Sequence, residues 1–241
     1  MCVIFFSYKQ DPKYPFVLLA NRDEFYDRPT AKAEFWEDHT GILAGRDLVG
    51  KGTWLGVTKT GKFAAVTNFR DPKQEKGSIS RGNLVADFLK GSVLARDYLE
   101  DIKTRAKQFS GFNLLVGEIN PEREELFYFS NQEGEIRKLE KGLYGLSNNL
   151  LDVSWRKVTK GKERLGKLIS DGNFEKETLF KVLADKELAE DMDLPETGIG
   201  YEREKLLSAI FIETPIYGTR CSTVLTFNET FDVDFEERVF V

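Results

Sequence analysis

The chain has 241 residues, 41% of them hydrophobic and 31% charged, enough for a single domain over 1–241 with a substantial packed core. A net charge of −5 without a basic stripe argues against nucleic acid as a partner, and no apolar run approaches the roughly 20 residues of a membrane span. Two cysteines, Cys2 and Cys221, exclude a disulfide scaffold, and with no signal-peptide pattern at the start a cytoplasmic location is expected.

The first apolar run, Cys2-Val3-Ile4-Phe5-Phe6, reads as a buried strand over 2–8. Asp11-Pro12-Lys13 marks a turn into a second strand over 16–22. That strand exits into the polar cluster Asn21-Arg22-Asp23-Glu24, a common position for a site. The only histidine, His39, lies in the polar segment Glu37-Asp38-His39-Thr40-Gly41 and reads as a solvated loop residue. A Ser-His-Asp triad or a multi-histidine zinc site would have to use it or do without.

Gly45, Gly50 and Lys51 have the spacing of a phosphate-binding loop. Gly52 stands where that loop needs Ser or Thr to hold magnesium, and a strand-like stretch follows where a helix is required. These glycines therefore read as turn residues leading into a hairpin over 53–58 and 62–68, which ends at Asn68. Helical patterns follow over 82–90 and 93–107. Strands return over 112–119 and 125–130, and a third ends in Gly145-Leu146-Ser147-Asn148. A second helical block covers about 155–169 and 176–188. Leu194-Pro195-Glu196-Thr197-Gly198 reads as a loop. Strands are expected at 209–212, 217–225 and 231–240. Helices in pairs between groups of strands argue against a doubly wound parallel sheet. The pattern fits an α+β fold with two antiparallel sheets face to face and a helical layer outside each.

Cys2 is the residue on which chemistry can be built. Initiator methionine is normally removed before a small residue. Cys2 would then carry both a thiol and a free α-amine, whose pKa is about 7.7–8.0. A thiol nucleophile needs such a base, because free cysteine is only a few per cent thiolate at neutral pH. Cys221, beside Arg220, reads as a packing residue.

Cys2, Asn21-Arg22-Asp23-Glu24, Gly52-Thr53-Trp54-Leu55-Gly56, Thr67-Asn68, Ser80-Arg81-Gly82, Gly111-Phe112-Asn113-Leu114, Gly145-Leu146-Ser147-Asn148 and Tyr217-Gly218-Thr219-Arg220 together resemble the NRDE family, also called the transport and Golgi organisation protein 2 family. The resemblance runs from residue 2 to about 238. That family in turn resembles the cysteine N-terminal-nucleophile hydrolases, which implies a four-layer αββα sandwich. It also implies roles. Cys2 would be nucleophile and, through its amine, base; Arg22 and Asp23 would orient and polarise it. Asn68 would donate to the oxyanion, and Asn148 and Arg220 would complete the polar floor. Strand alternation adds a constraint: Arg22 and Asp23 are adjacent, so only one should face Cys2 unless the strand ends or bulges there.

The function expected from these features is cleavage of a linear amide or related acyl compound, with no cofactor. The alternative is a non-enzymatic carrier of haem or of a lipid or acyl-CoA, for which Cys2 or His39 would be the axial ligand to haem. The first reading makes a simple prediction: protein isolated from its native host has an intact mass that begins at Cys2. Quantitative retention of Met1 would remove the proposed base.

Overall fold

The computed structural model describes residues 2–74 and 76–241; Met1, whose removal the sequence predicts, lies outside the described residues. Contacts divide the chain into two units. One holds residues up to Asp27, Arg70–Pro72 and Lys141–Val241. The other holds Arg28–Phe69 and Lys73–Glu140.

In the first unit, the opening apolar run forms β1 (Cys2–Tyr8), which pairs antiparallel with β2 (Phe16–Phe25). Together with β10 (Gly142–Leu146), β11 (Tyr217–Phe227) and β12 (Val233–Val239) they form a sheet in the order β10-β1-β2-β11-β12. Alternation sorts the side chains of β1 and β2. Val3, Phe5, Val17 and Leu19 pack with Leu165, Leu179, Phe180 and Leu183 of α3 (Arg156–Ser170) and α4 (Lys176–Leu183). The even-numbered residues, Cys2 and Arg22 among them, therefore lie on the sheet face turned away from these helices.

The second unit is a seven-stranded sheet that follows chain order: β3 (Thr30–Phe35), β4 (Ile42–Asp47), β5 (Leu55–Thr58), β6 (Lys62–Asn68), β7 (Phe112–Asn120), β8 (Arg123–Ser130) and β9 (Ile136–Lys138). All its pairings are antiparallel. Between β6 and β7 the chain forms α1 (Gly82–Lys90) and α2 (Ala95–Thr104), whose Leu84, Phe88, Leu99 and Ile102 pack on Val66, Leu114, Val116 and Phe129. The two antiparallel sheets with helices match the expected α+β class.

Among the departures from the sequence reading, three concern a glycine, a buried loop and a short helix. Gly45 lies within β4 rather than in a turn, and its missing side chain makes room for the Trp54 indole. Residues 209–212 are not a strand: Ile210 and Ile212 are buried in an irregular segment after the short helix α5 (Tyr201–Leu206), which the sequence reading also missed. Burial of such a loop imitates the apolar signature of a strand.

The contact between α3 and β1 is close enough to test. Gly161 faces the fully buried Phe5, and a Cβ at Gly161 would fall inside that ring. Gly161→Ala gains up to about 1 kcal/mol of helix propensity. Overpacking a closed core costs about 1–3 kcal/mol. The variant is expected to lose about 1–2 kcal/mol net in urea denaturation, and a more stable variant would refute this packing.

Candidate active site

The site starts from strand register. Cys2 pairs with Arg22 across β1 and β2, and Arg22 pairs with Cys221 across β2 and β11. Side chains directly opposite in an antiparallel pair share a face, so Arg22 stands between the two cysteines. On the other side of β1, Ile4 pairs with Leu146. The same register carried two residues past the end of β10 sets Asn148 beside Cys2. There the Ser147 hydroxyl donates to the Cys2 carbonyl at 3.2 Å, and the Arg70 amide donates to the Asn148 carbonyl at 2.7 Å. Arg22, Asp23 and Asn148 are all buried.

Asp23 also reaches Cys2, against the expectation from alternation, because the contact runs through its backbone: the Asp23 amide donates to the Cys2 thiol. Its carboxylate lies on the opposite face, where the Thr219 hydroxyl donates to Oδ1 at 2.7 Å and the Tyr217 hydroxyl donates to its carbonyl at 3.2 Å. The register shifts between Thr219, opposite Asp23, and Cys221, opposite Arg22, so Arg220 occupies a bulge. Its guanidinium donates to the carbonyls of Phe25 and Val241, and Arg22 is near enough to lower its pKa after burial has done so. Asn21 takes a different role. Its amide donates to the carbonyls of Leu183 and Ile210 at 2.9 Å each and accepts from Ser222 at 2.6 Å, tying β2 to α4 and to the buried loop.

Burial pushes the Cys2 thiol above its ordinary pKa, and the Asp23 charge pushes it further; the Arg22 charge and the Asp23 amide pull it back. Cys2 at rest is therefore a thiol. Burial raises the Cys221 thiol well above its ordinary value, with the nearby Glu237 raising it further.

The sequence reading missed Lys157. It is the second residue of α3, is 3% exposed and donates to the Leu207 carbonyl at 2.9 Å. Burial lowers its pKa to about 8, opposed by the charge of Asp23. The available signal was periodicity: Lys157, Gly161 and Leu165 share the buried stripe of α3. Nearby, Arg70 Nη1 is 2.7 Å from Glu204 Oε2 in a buried ion pair, and Thr197 donates to the other Glu204 oxygen through its amide and hydroxyl.

Asn68 ends β6 in the second unit and is half-buried. His39 is exposed on a turn in that unit, an unsuitable setting for an apolar macrocycle.

The family model described as Transport and Golgi organisation 2 matches residues 1–241. The human Transport and Golgi organization protein 2 homolog is 35% identical over 255 residues, covering 99% of this chain and 92% of its own. Among solved structures, a mutant conjugated bile acid hydrolase from Clostridium perfringens matches with TM-score 0.54 at 9% identity, over 100% of this chain and 97% of that one. The N-acylethanolamine-hydrolyzing acid amidase ortholog of Caenorhabditis elegans matches with TM-score 0.51 at 10% identity, over 93% and 92%. The fold is thus that of the N-terminal-nucleophile hydrolases. No helix among the described residues is long and apolar enough to cross a membrane.

The two thiols are expected to differ in reactivity. Cys2 is half-buried and flanked by Arg22, whereas Cys221 is buried beside Glu237. The thiol whose pKa is raised less keeps more thiolate at neutral pH, so limiting iodoacetamide should label Cys2 faster than Cys221. Peptide mass spectrometry that found Cys221 labelled first would reverse the assignment.

Proposed function

The chain belongs to the Transport and Golgi organisation 2 family, and from that premise we propose that it is an N-terminal-cysteine amidohydrolase acting on a linear amide or related acyl compound in the cytoplasm. The observation that carries this reading is the surroundings of the Cys2 thiol: the Asp23 amide donates to it, and Arg22 is its cross-strand partner. The names of the fold neighbours support the same chemistry, one an amidase that hydrolyses N-acylethanolamines and the other a hydrolase of conjugated bile acids.

In this mechanism Met1 has been removed and Cys2 carries the free α-amine. Its sulfur attacks the substrate carbonyl carbon while the thiol proton passes to that amine. Arg22 stabilises the sulfur as charge develops. Asn68 keeps the oxyanion-donor role that the family resemblance gives it, and Asn148 and Arg220 complete the polar floor. As the C–N bond breaks, the ammonium returns the proton to the leaving nitrogen, leaving a thioester on Cys2. Water then hydrolyses the thioester and restores the thiol.

A panel of N-acyl amides tests the proposal. Cys2→Ala should abolish hydrolysis while leaving ligand binding largely intact. Asn68→Ala should lower kcat about 100- to 1000-fold with little change in KM. If wild-type protein beginning at Cys2 hydrolyses nothing in the panel but binds an acyl or porphyrin ligand tightly, and either Cys2→Ala or His39→Ala loses that binding, the site belongs to a carrier.

A further inference from the structure

The guanidinium of Arg70 is only partly used by the protein. The side chain is 5% exposed, and Nη1 is given to Glu204 at 2.7 Å. Nε and Nη2 are buried and have no hydrogen-bond partner among the described residues. Arginine stays charged in a folded protein, so these N–H groups cannot be relieved by losing a proton. The Trp155 ring, 4.9 Å away, offers its face to the cation but no oxygen to the two donors. Neither end of Arg70 is free to turn. Its amide donates to the Asn148 carbonyl at 2.7 Å, and Glu204 is fixed in turn by the amide and hydroxyl of Thr197. Nε and Nη2 share one edge of the guanidinium plane, the edge that holds a carboxylate at two points.

The surroundings of Arg70, all within the first unit, show where such a ligand would lie. Arg70 lines a space of about 10 Å³ with Lys157 and Glu204, room for about one water. Trp155, Arg156, Asp193 and Pro195 line this space and also a cavity of about 810 Å³, a volume suited to small organic ligands. These four residues are the partition between Arg70 and the larger cavity. Around the small space, buried Arg70 and Lys157 stand against one buried carboxylate, Glu204, while exposed Arg156 and Asp193 cancel. Asp23, which also acts on Lys157, is held by Thr219. One positive charge is left over. Glu190 and Glu196 line the larger cavity, so a second negative charge on a ligand would meet carboxylates there. Leu188, Met192 and Leu194 line it as well and suit an apolar body.

We propose that Arg70 is a carboxylate-binding residue: Nε and Nη2 receive the carboxylate of a monoanionic organic acid whose apolar body occupies the cavity beside Trp155. The acid reaches Arg70 by displacing the segment 193–195, which lies outside the strands and α-helices. This goes beyond the reading of Cys2 as nucleophile and does not depend on it, because the test reads binding alone.

The test is isothermal titration calorimetry of the full-length protein at neutral pH with octanoate, octanamide and suberate. Octanoate is expected to bind about tenfold more tightly than octanamide, which has the same chain without the charge, and than suberate, which adds a second carboxylate. Arg70→Lys keeps a charge for Glu204 but lacks the planar fork, and should reduce the preference for octanoate over octanamide to about threefold or less. The Arg70→Met, Glu204→Gln double variant leaves no carboxylate uncompensated and should do the same. Where neither variant folds, a crystal structure of the wild-type octanoate complex decides: carboxylate oxygens on Arg70 Nε and Nη2 support the proposal, and any other position refutes it. The proposal is overturned if wild type binds no octanoate or binds either control equally well. A preference that survives in a folded variant overturns it too.

Discussion

The arrangement around Cys2 depends on one irregularity in the sheet, the bulge at Arg220. Thr219 lies opposite Asp23, so an unbroken ladder would put Arg220 directly opposite Arg22. Two guanidinium groups facing each other on a buried strand pair would repel. The bulge takes Arg220 out of the ladder, its side chain turns to the carbonyls of Phe25 and Val241, and Cys221 moves into register with Arg22. Arg22 is left between two sulfurs, with the Cys2 thiol as its neighbour on the side where β1 begins.

Within this frame the segment Asn21-Arg22-Asp23-Glu24 splits its contacts by strand alternation. Asn21 faces the helices and uses its amide to tie down the end of α4 and the buried loop. Arg22 faces the other way, toward Cys2 and Cys221. Asp23 serves both sides, because its backbone amide reaches the thiol while its carboxylate is fixed by Thr219 on the helical side. Glu24 lies opposite Gly218 at the strand's exit. A run of polar residues at a strand end thus does more than mark a loop: Asn21, Arg22 and Asp23 each meet a different buried partner.

Much of this was legible in the sequence because it follows from local pattern. The strands of Cys2, Arg22 and Asn68 show as apolar runs, and paired helices between groups of strands give the two-sheet class. What escaped depends on tertiary partners. Strands β3 and β4 are half-exposed, with weak alternation, and Gly45 looked like a turn because the Trp54 indole that fills its place cannot be seen locally. Ile210 and Ile212 looked like a strand because burial, not pairing, sets their composition. The reach of Asp23 to Cys2 was missed because side-chain alternation says nothing about where a backbone N–H points. Lys157 was passed over as an ordinary helix residue, although its place on the apolar stripe of α3 is visible in the spacing.

The electrostatics also bear on which group can serve as base. A cysteine activated in advance would have its pKa pulled down by its surroundings, as beside a protonated histidine. Cys2 is pushed the other way by burial and by Asp23. In the proposed mechanism its proton would therefore leave during attack, to an acceptor within reach. The single histidine is exposed on a turn. Lys157, with its pKa near 8, has its ammonium held by the Leu207 carbonyl. In the proposed mechanism the acceptor is the α-amine of Cys2, which with a pKa of about 7.7–8.0 is partly neutral at neutral pH and belongs to the same residue as the sulfur.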